Sequence, residues 1–202
     1  MVSLLLLLQV ESLLSTDNRW RNIVKFYGIT QDPKTESYML VIKQMDTDLR
    51  NYLQKYHNQL TWRDRIKITV DIVEALNSIH SENAIHRDLH SGNILNRAKT
   101  AKKDYCYIAD LGLCRPVNEE IKEGCGYGVI PYMAPEVLRG KEYTQAADIY
   151  SFGIIAYEIL TGLPPFYDRS HDSSLALAIC DGKRPEFNIK IPQLLEDLIK
   201  RC

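Results

Sequence analysis

Three short groups in this sequence combine residue types that can move a proton or hold a hard cation. His86-Arg87-Asp88-Leu89-His90-Ser91-Gly92-Asn93 places a carboxylate and an amide five positions apart, and apolar Ile94-Leu95 follows. A loop that tight can aim both side chains into one cleft. Asp110-Leu111-Gly112 begins 17 positions after Asn93, and Ala134-Pro135-Glu136 begins 24 positions after Asp110. Carboxylate and amide oxygens suit general base work and divalent cations of the magnesium type. Each group alone has a plainer reading. Asp88 is then a turn aspartate, and Asp110-Leu111-Gly112 an ordinary strand-to-turn sequence. Their order, and the Asp148-Ile149-Tyr150-Ser151-Phe152-Gly153 that follows them, argue against coincidence.

The surrounding pattern predicts the elements that position them. Ile23 to Thr30 and Tyr38 to Ile42 are rich in β-branched and aromatic residues, and the turn-formers Gln31 to Thr35 lie between them, so a β-hairpin is predicted. Thr61 to Asp64 has the form of a capping box. Ile66, Val70, Val73, Leu76 and Ile79 or His80 then recur at helical spacing, predicting a long amphipathic helix that buries them and ends near Ser81. Short strands are expected at Ile94-Leu95 and Tyr105 to Ile108. A helix from Gln145 to Leu160 has Thr144 as N-cap and Gly162 as stop. Its apolar residues, Ile149, Phe152, Ile155, Ala156, Ile159 and Leu160, cover more than one stripe, which predicts burial in the core. Further helical pieces are expected at Ser174 to Asp181 and Pro192 to Cys202.

The ordered set of motifs resembles the signature of eukaryotic protein kinases. The phrases Asn22 to Thr30, His86 to Leu95 and Gly140 to Thr144 are similar to the tyrosine-kinase-like group, especially its expanded families in arbuscular mycorrhizal fungi. That resemblance covers roughly residues 21–202. It implies an α+β protein-kinase-like fold truncated at both ends, with a divergent segment at 1–20, a remnant of the N-lobe sheet and hinge at 21–45, and a mainly helical C-lobe at 46–202 lacking its last helix. The activity implied is ATP-dependent phosphoryl transfer to protein Ser/Thr hydroxyls, Tyr being the other choice, with ATP and Mg²⁺ as cofactors. Asp88 would accept or orient the proton of the attacking hydroxyl, with Asn93 completing the catalytic pair. Asn93 and Asp110 would hold Mg²⁺ on the nucleotide. His86, Arg87, Glu136 and Asp148 inherit supporting roles: His86 packs, Arg87 meets a phosphorylated activation segment, Asp148 braces the catalytic loop, and Glu136 pairs with a later Arg that these 202 residues do not include.

Several positions depart from the family pattern. No glycine-rich loop or Val-Ala-x-Lys strand occurs, and Glu11 has no such Lys to pair with. Gly124-Cys125-Gly126-Tyr127-Gly128 imitates a phosphate loop but falls between Asp110 and Glu136, where an activation segment belongs. His90 stands where Ser/Thr kinases commonly carry a Lys, Leu111 where Phe is usual, and Val129 where many have Thr. Between Leu111 and Glu136 the only hydroxyls are those of Tyr127 and Tyr132; Tyr127 is the candidate phosphosite, with Arg87 or Arg115 to receive its phosphate. An alternative function follows from the missing clamp: a pseudokinase or truncated product acting as an interaction module. A small-molecule phosphotransferase is disfavoured by Ala134-Pro135-Glu136.

Composition excludes other classes. Twenty-five basic and 26 acidic residues are well mixed, leaving a formal net charge of -1 and no basic stripe for nucleic acid. Five scattered cysteines match neither a metal site nor a disulfide framework, so reduced thiols and a cytoplasmic setting are expected. The apolar run Val2 to Leu8 has no basic residue before Arg19 and falls far short of the ~20 residues that span a bilayer, so neither export nor a membrane span is expected.

Overall fold

A computed structural model describes residues 22–35, 37–97, 105–111, 114–116 and 128–202. It is an α+β fold in which small sheets precede and flank a mainly helical body. Strands β1 (Phe26–Gln31) and β2 (Tyr38–Ile42) form the expected antiparallel hairpin. Its turn is built by Asp32, whose carboxylate accepts the Lys34 N–H at 2.8 Å. All five residues of β2 are exposed.

The hairpin joins the body through the segment before β1. Val24 N–H donates to Ile108 O and Ile108 N–H to Asn22 O, each at 2.9 Å. Ile108 ends β6 (Tyr105–Ile108), the edge of a three-stranded sheet with β5 (Ile94–Arg97) and β3 (Thr47–Asp48). A second ladder pairs β4 (Ala84–Ile85) with β7 (Arg115–Pro116).

Helix α1 (Leu49–Tyr56) starts where the Asp48 carboxylate accepts the Asn51 N–H at 2.9 Å, and it buries Leu49, Tyr52 and Leu53. Helix α2 (Trp62–Ser81) begins with the expected capping box of Thr61 and Asp64. Its buried face corrects the sequence reading. Ile68, Ile72, Ala75, Leu76 and Ile79 face the core together with Asp71, whereas Ile66, Val70 and Val73 are 51%, 42% and 44% exposed. Asp71 can lie inside because its carboxylate accepts the Cys106 N–H at 3.3 Å and meets Lys67. A polar residue on the inner face therefore shifted the apparent stripe.

Helices α3 (Pro135–Leu138) and α4 (Gln145–Thr161) follow. Thr144 caps α4, and Gly162 ends it at φ 73°, donating its N–H to Glu158 O at 2.8 Å. No larger residue fits there, because a Cβ would lie 2.4 Å from the His57 ring. Apolar on nearly every side, α4 is buried along most of its length and packs against α2 and α6. Ile149, expected inside, is 39% exposed. Helices α5 (Ser173–Cys180) and α6 (Gln193–Arg201) complete the body within a residue of the expected limits. No helix among the described residues is long and apolar enough to cross a membrane.

Candidate active site

The loop from His86 to Asn93 hangs between β4 and β5, and its shape is imposed by α4. The buried Asp148 carboxylate accepts the His86 N–H at 2.8 Å through Oδ2 and the Arg87 N–H at 3.0 Å through Oδ1. His80 of α2 meets Oδ2 through Nε2, also at 2.8 Å. Held this way, Arg87 adopts φ 73°, a left-handed conformation rare for a residue with a side chain. The chain therefore turns sharply just before Asp88.

His86 is fully buried and works as a strut. Its Nδ1 accepts the Asp88 N–H at 3.3 Å, so Nε2 carries the ring proton and donates to Ala109 O at 3.1 Å. Burial pushes its imidazole below the ordinary histidine value, against the pull of Asp148, Asp88 and Asp110. One ring thus links the Asp88 loop to the end of β6.

Asn93 closes the loop. Its Nδ2 donates to Asp88 O at 2.9 Å and to Asp88 Oδ2 at 3.2 Å, which leaves its own oxygen as the outward acceptor. The Ala109 N–H donates to Asn93 O at 2.8 Å, so the chain after β6 runs alongside Asn93 and delivers Asp110, exposed and at φ 55°, beside it. Asp88, Asn93 and Asp110 consequently share one end of the β5–β6 pair. The Asp88 carboxyl lies below the usual carboxylate range, chiefly because of His90, with burial opposing.

The segment from Gly128 to Ala134 packs against the same loop. Tyr132 OH donates to Glu158 Oε2 at 2.7 Å and lies 3.1 Å from Ser91 Oγ, which accepts from Arg50 Nε at 3.3 Å. Ser151 Oγ donates to Tyr132 O at 2.7 Å. Burial raises the Glu158 carboxyl above the ordinary glutamate value, and Tyr132 opposes that rise. Glu136, in the first turn of α3, has no ion-pair partner among the described residues. The Arg87 guanidinium lies 6.0 Å over the Tyr143 ring.

Sequence reasoning overlooked Glu158, His80 and Arg50. Glu158 did leave a signal, as the one acid between Ala156-Tyr157 and Ile159-Leu160 in a buried helix. Gly112, the glycine-rich stretch 124–127, Tyr127, Glu11 and residues 1–20 lie outside the described residues.

The donor set fits Mg²⁺ bound with a nucleotide better than a metal held by protein alone. Among the described residues no group of three or more His, Cys, Asp or Glu could hold a metal ion. One carboxylate and one amide oxygen, completed by phosphates and water, are what such an ion takes.

Comparisons with known proteins converge. A family model for protein tyrosine and serine/threonine kinases matches residues 6–202. A probable serine/threonine-protein kinase of Dictyostelium discoideum is 29% identical over 90% of this chain, which spans 11% of that protein. The dual specificity protein kinase splA of the same organism is 30% identical over 91% of the chain and 8% of its own length. Its probable serine/threonine-protein kinase gdt4 is 35% identical over 89% and 13%. The chain thus spans a small part of these relatives.

Proposed function

We propose that this chain, which belongs to the protein tyrosine and serine/threonine kinase family, carries the phosphoryl-transfer side of an ATP-dependent protein kinase. The supporting observation is the Asp88–Asn93 pair beside Asp110, with Asp88 Oδ2 held by Asn93 and no described group donating to Oδ1. Asn93 and Asp110 would hold Mg²⁺, which would offset the charge on the phosphates of ATP, the phosphoryl donor. Asp88, kept ionised, takes or orients the proton of the acceptor hydroxyl at Oδ1. Asp148 and His86 keep that carboxylate in place by fixing the backbone at Asp88 and just before it.

The substrate class is protein hydroxyl groups. The similarity to the tyrosine-kinase-like group, including its fungal families, favours Ser/Thr over Tyr. We place the protein in the cytoplasm, with neither nucleic acid nor a membrane as partner. The domain limits remain 1–20, 21–45 and 46–202, and Tyr127 is the regulatory phosphosite, to be sought by mass spectrometry of protein from its native cells.

The test is transfer from labelled MgATP to a generic protein substrate. These 202 residues carry no glycine-rich loop and no Val-Ala-x-Lys strand. Low turnover is therefore expected from the chain alone, and clear turnover once the N-terminal strands and helix of a related kinase are fused to it. Asp88→Asn in the fusion abolishes it. A well-folded fusion that stays silent would instead support the interaction-module reading.

A further inference from the structure

His90 occupies a place that the kinase signature leaves open, and three contacts fix its ring. As N-cap of the tight turn Ser91–Asn93, it accepts the Gly92 N–H on Nδ1 at 3.1 Å. An imidazole that accepts through Nδ1 carries its proton on Nε2. That Nε2 lies 3.7 Å from Asp88 Oδ2, just beyond hydrogen-bond length.

The ring is also walled in. Its centroid is 6.0 Å from that of Tyr132, whose hydroxyl is anchored to Glu158. Below it lies Gly92, where a Cβ would come within 2.9 Å of both Cε1 and Nδ1. The imidazole therefore rests on a backbone position that only glycine leaves open.

One donor holds Asp88 Oδ2, and a second stands just short of it. Asn93 Nδ2 is 3.2 Å from Asp88 Oδ2, and His90 Nε2 approaches the same atom. We propose that His90 is a positioning residue for phosphoryl transfer: with Asn93 it pins Oδ2, so that Oδ1 is the oxygen presented to the acceptor hydroxyl. This rests on the reading of Asp88 as the base. It assigns to a neutral N–H donor a position where a Lys would instead place a mobile positive charge.

A plain N-cap makes the competing prediction, and two variants separate them. His90→Asn keeps a side-chain acceptor for the Gly92 N–H, since Asn is a good N-cap, but is too short to reach Asp88. His90→Gln keeps a distal N–H donor. In the kinase fusion described above, His90→Asn should melt with the parent yet lose about tenfold in kcat at unchanged KM for ATP, the low end of what outer partners of a functional group contribute. His90→Gln should recover part of that loss. Parental kcat in His90→Asn, with a loss in His90→Gln, would overturn the proposal.

A second measurement needs no turnover. In imidazole ¹⁵N spectra of the full chain, His90 should show the Nε2–H tautomer, and Asp88→Asn should move that N–H resonance. An Nδ1–H tautomer, or a resonance indifferent to Asp88→Asn, refutes the placement. If the spectra agree but Asp88→Asn transfers phosphate like the parent, the kinase reading fails while the placement of His90 stands.

Discussion

Replacing Asp148 with Asn changes one atom at the centre of the site, and the cost can be worked from its contacts. Asp148 is 1% exposed, and its two oxygens accept from His86 N, Arg87 N and His80 Nε2. Asparagine retains one oxygen and turns an NH₂ group toward a backbone N–H, donor against donor. At least one buried donor is then orphaned, at ~1–3 kcal/mol, and hydrogen bonds to a charged acceptor, worth ~1.5–3 kcal/mol each, are weakened. The left-handed Arg87 also loses part of what holds it. A total near ~3 kcal/mol lowers the melting temperature of a domain this size by about 6–12 °C. Calorimetry of the parent and Asp148→Asn measures this. A cycle with His80→Ala should be non-additive, because both changes act on Oδ2. A melting temperature within about 2 °C of the parent would refute the bracing argument. Lost transfer without lost stability would mean that Asp148 acts on substrate instead.

Three further outcomes are expected. Because burial raises the Glu158 carboxyl, its protonated form is the one the fold favours; that contribution is complete below the ordinary value of 4.5 and is lost as pH rises through the raised one. Glu158→Gln should therefore gain stability relative to the parent from about pH 4.5 upward, and a gap independent of pH in thermal melts would contradict this. Leu40→Lys and Val41→Lys, on residues 48% and 42% exposed on opposite faces of β2, should reduce any self-association in light scattering at unchanged melting temperature; unchanged association would argue that the hairpin is not adhesive. The Cys114 thiol, pushed up to about 12 by burial, should resist alkylation in the native chain while reacting once unfolded, and rapid native labelling would refute its burial.

Local signals were legible wherever a side chain speaks to its own backbone. Thr61 with Asp64, Thr144, Gly162 and the Asp32 turn each set an element limit that the structure keeps. Helix α1 went unpredicted because only eight residues follow its cap Asp48, too few for a period to emerge. The two-residue strands β3, β4 and β7 exist through partners distant in sequence, and nothing local announces them. The face of α2 was misassigned because burial of Asp71 depends on a backbone N–H from β6, a contact no periodicity contains. At the candidate site, motif order made Asp88, Asn93 and Asp110 legible as candidates. The hydrogen bonds that aim them were not legible, because their donors and acceptors come from α2, α4 and β6.

The distance along the chain between Asp148 and the loop it braces has a consequence during synthesis. His86 precedes Asp148 by 62 residues and Arg87 by 61. At ~5–20 residues per second the ribosome needs about 3–12 s to cover that stretch. Throughout that interval the two N–H groups have only water to meet, and nothing holds Arg87 in its left-handed turn. A nascent polypeptide halted in that window beyond Asp110 would already carry Asp88, Asn93 and Asp110, correctly spelled and without their geometry. Translation thus delivers the side chains of the candidate site first and their arrangement only when the buried helix arrives.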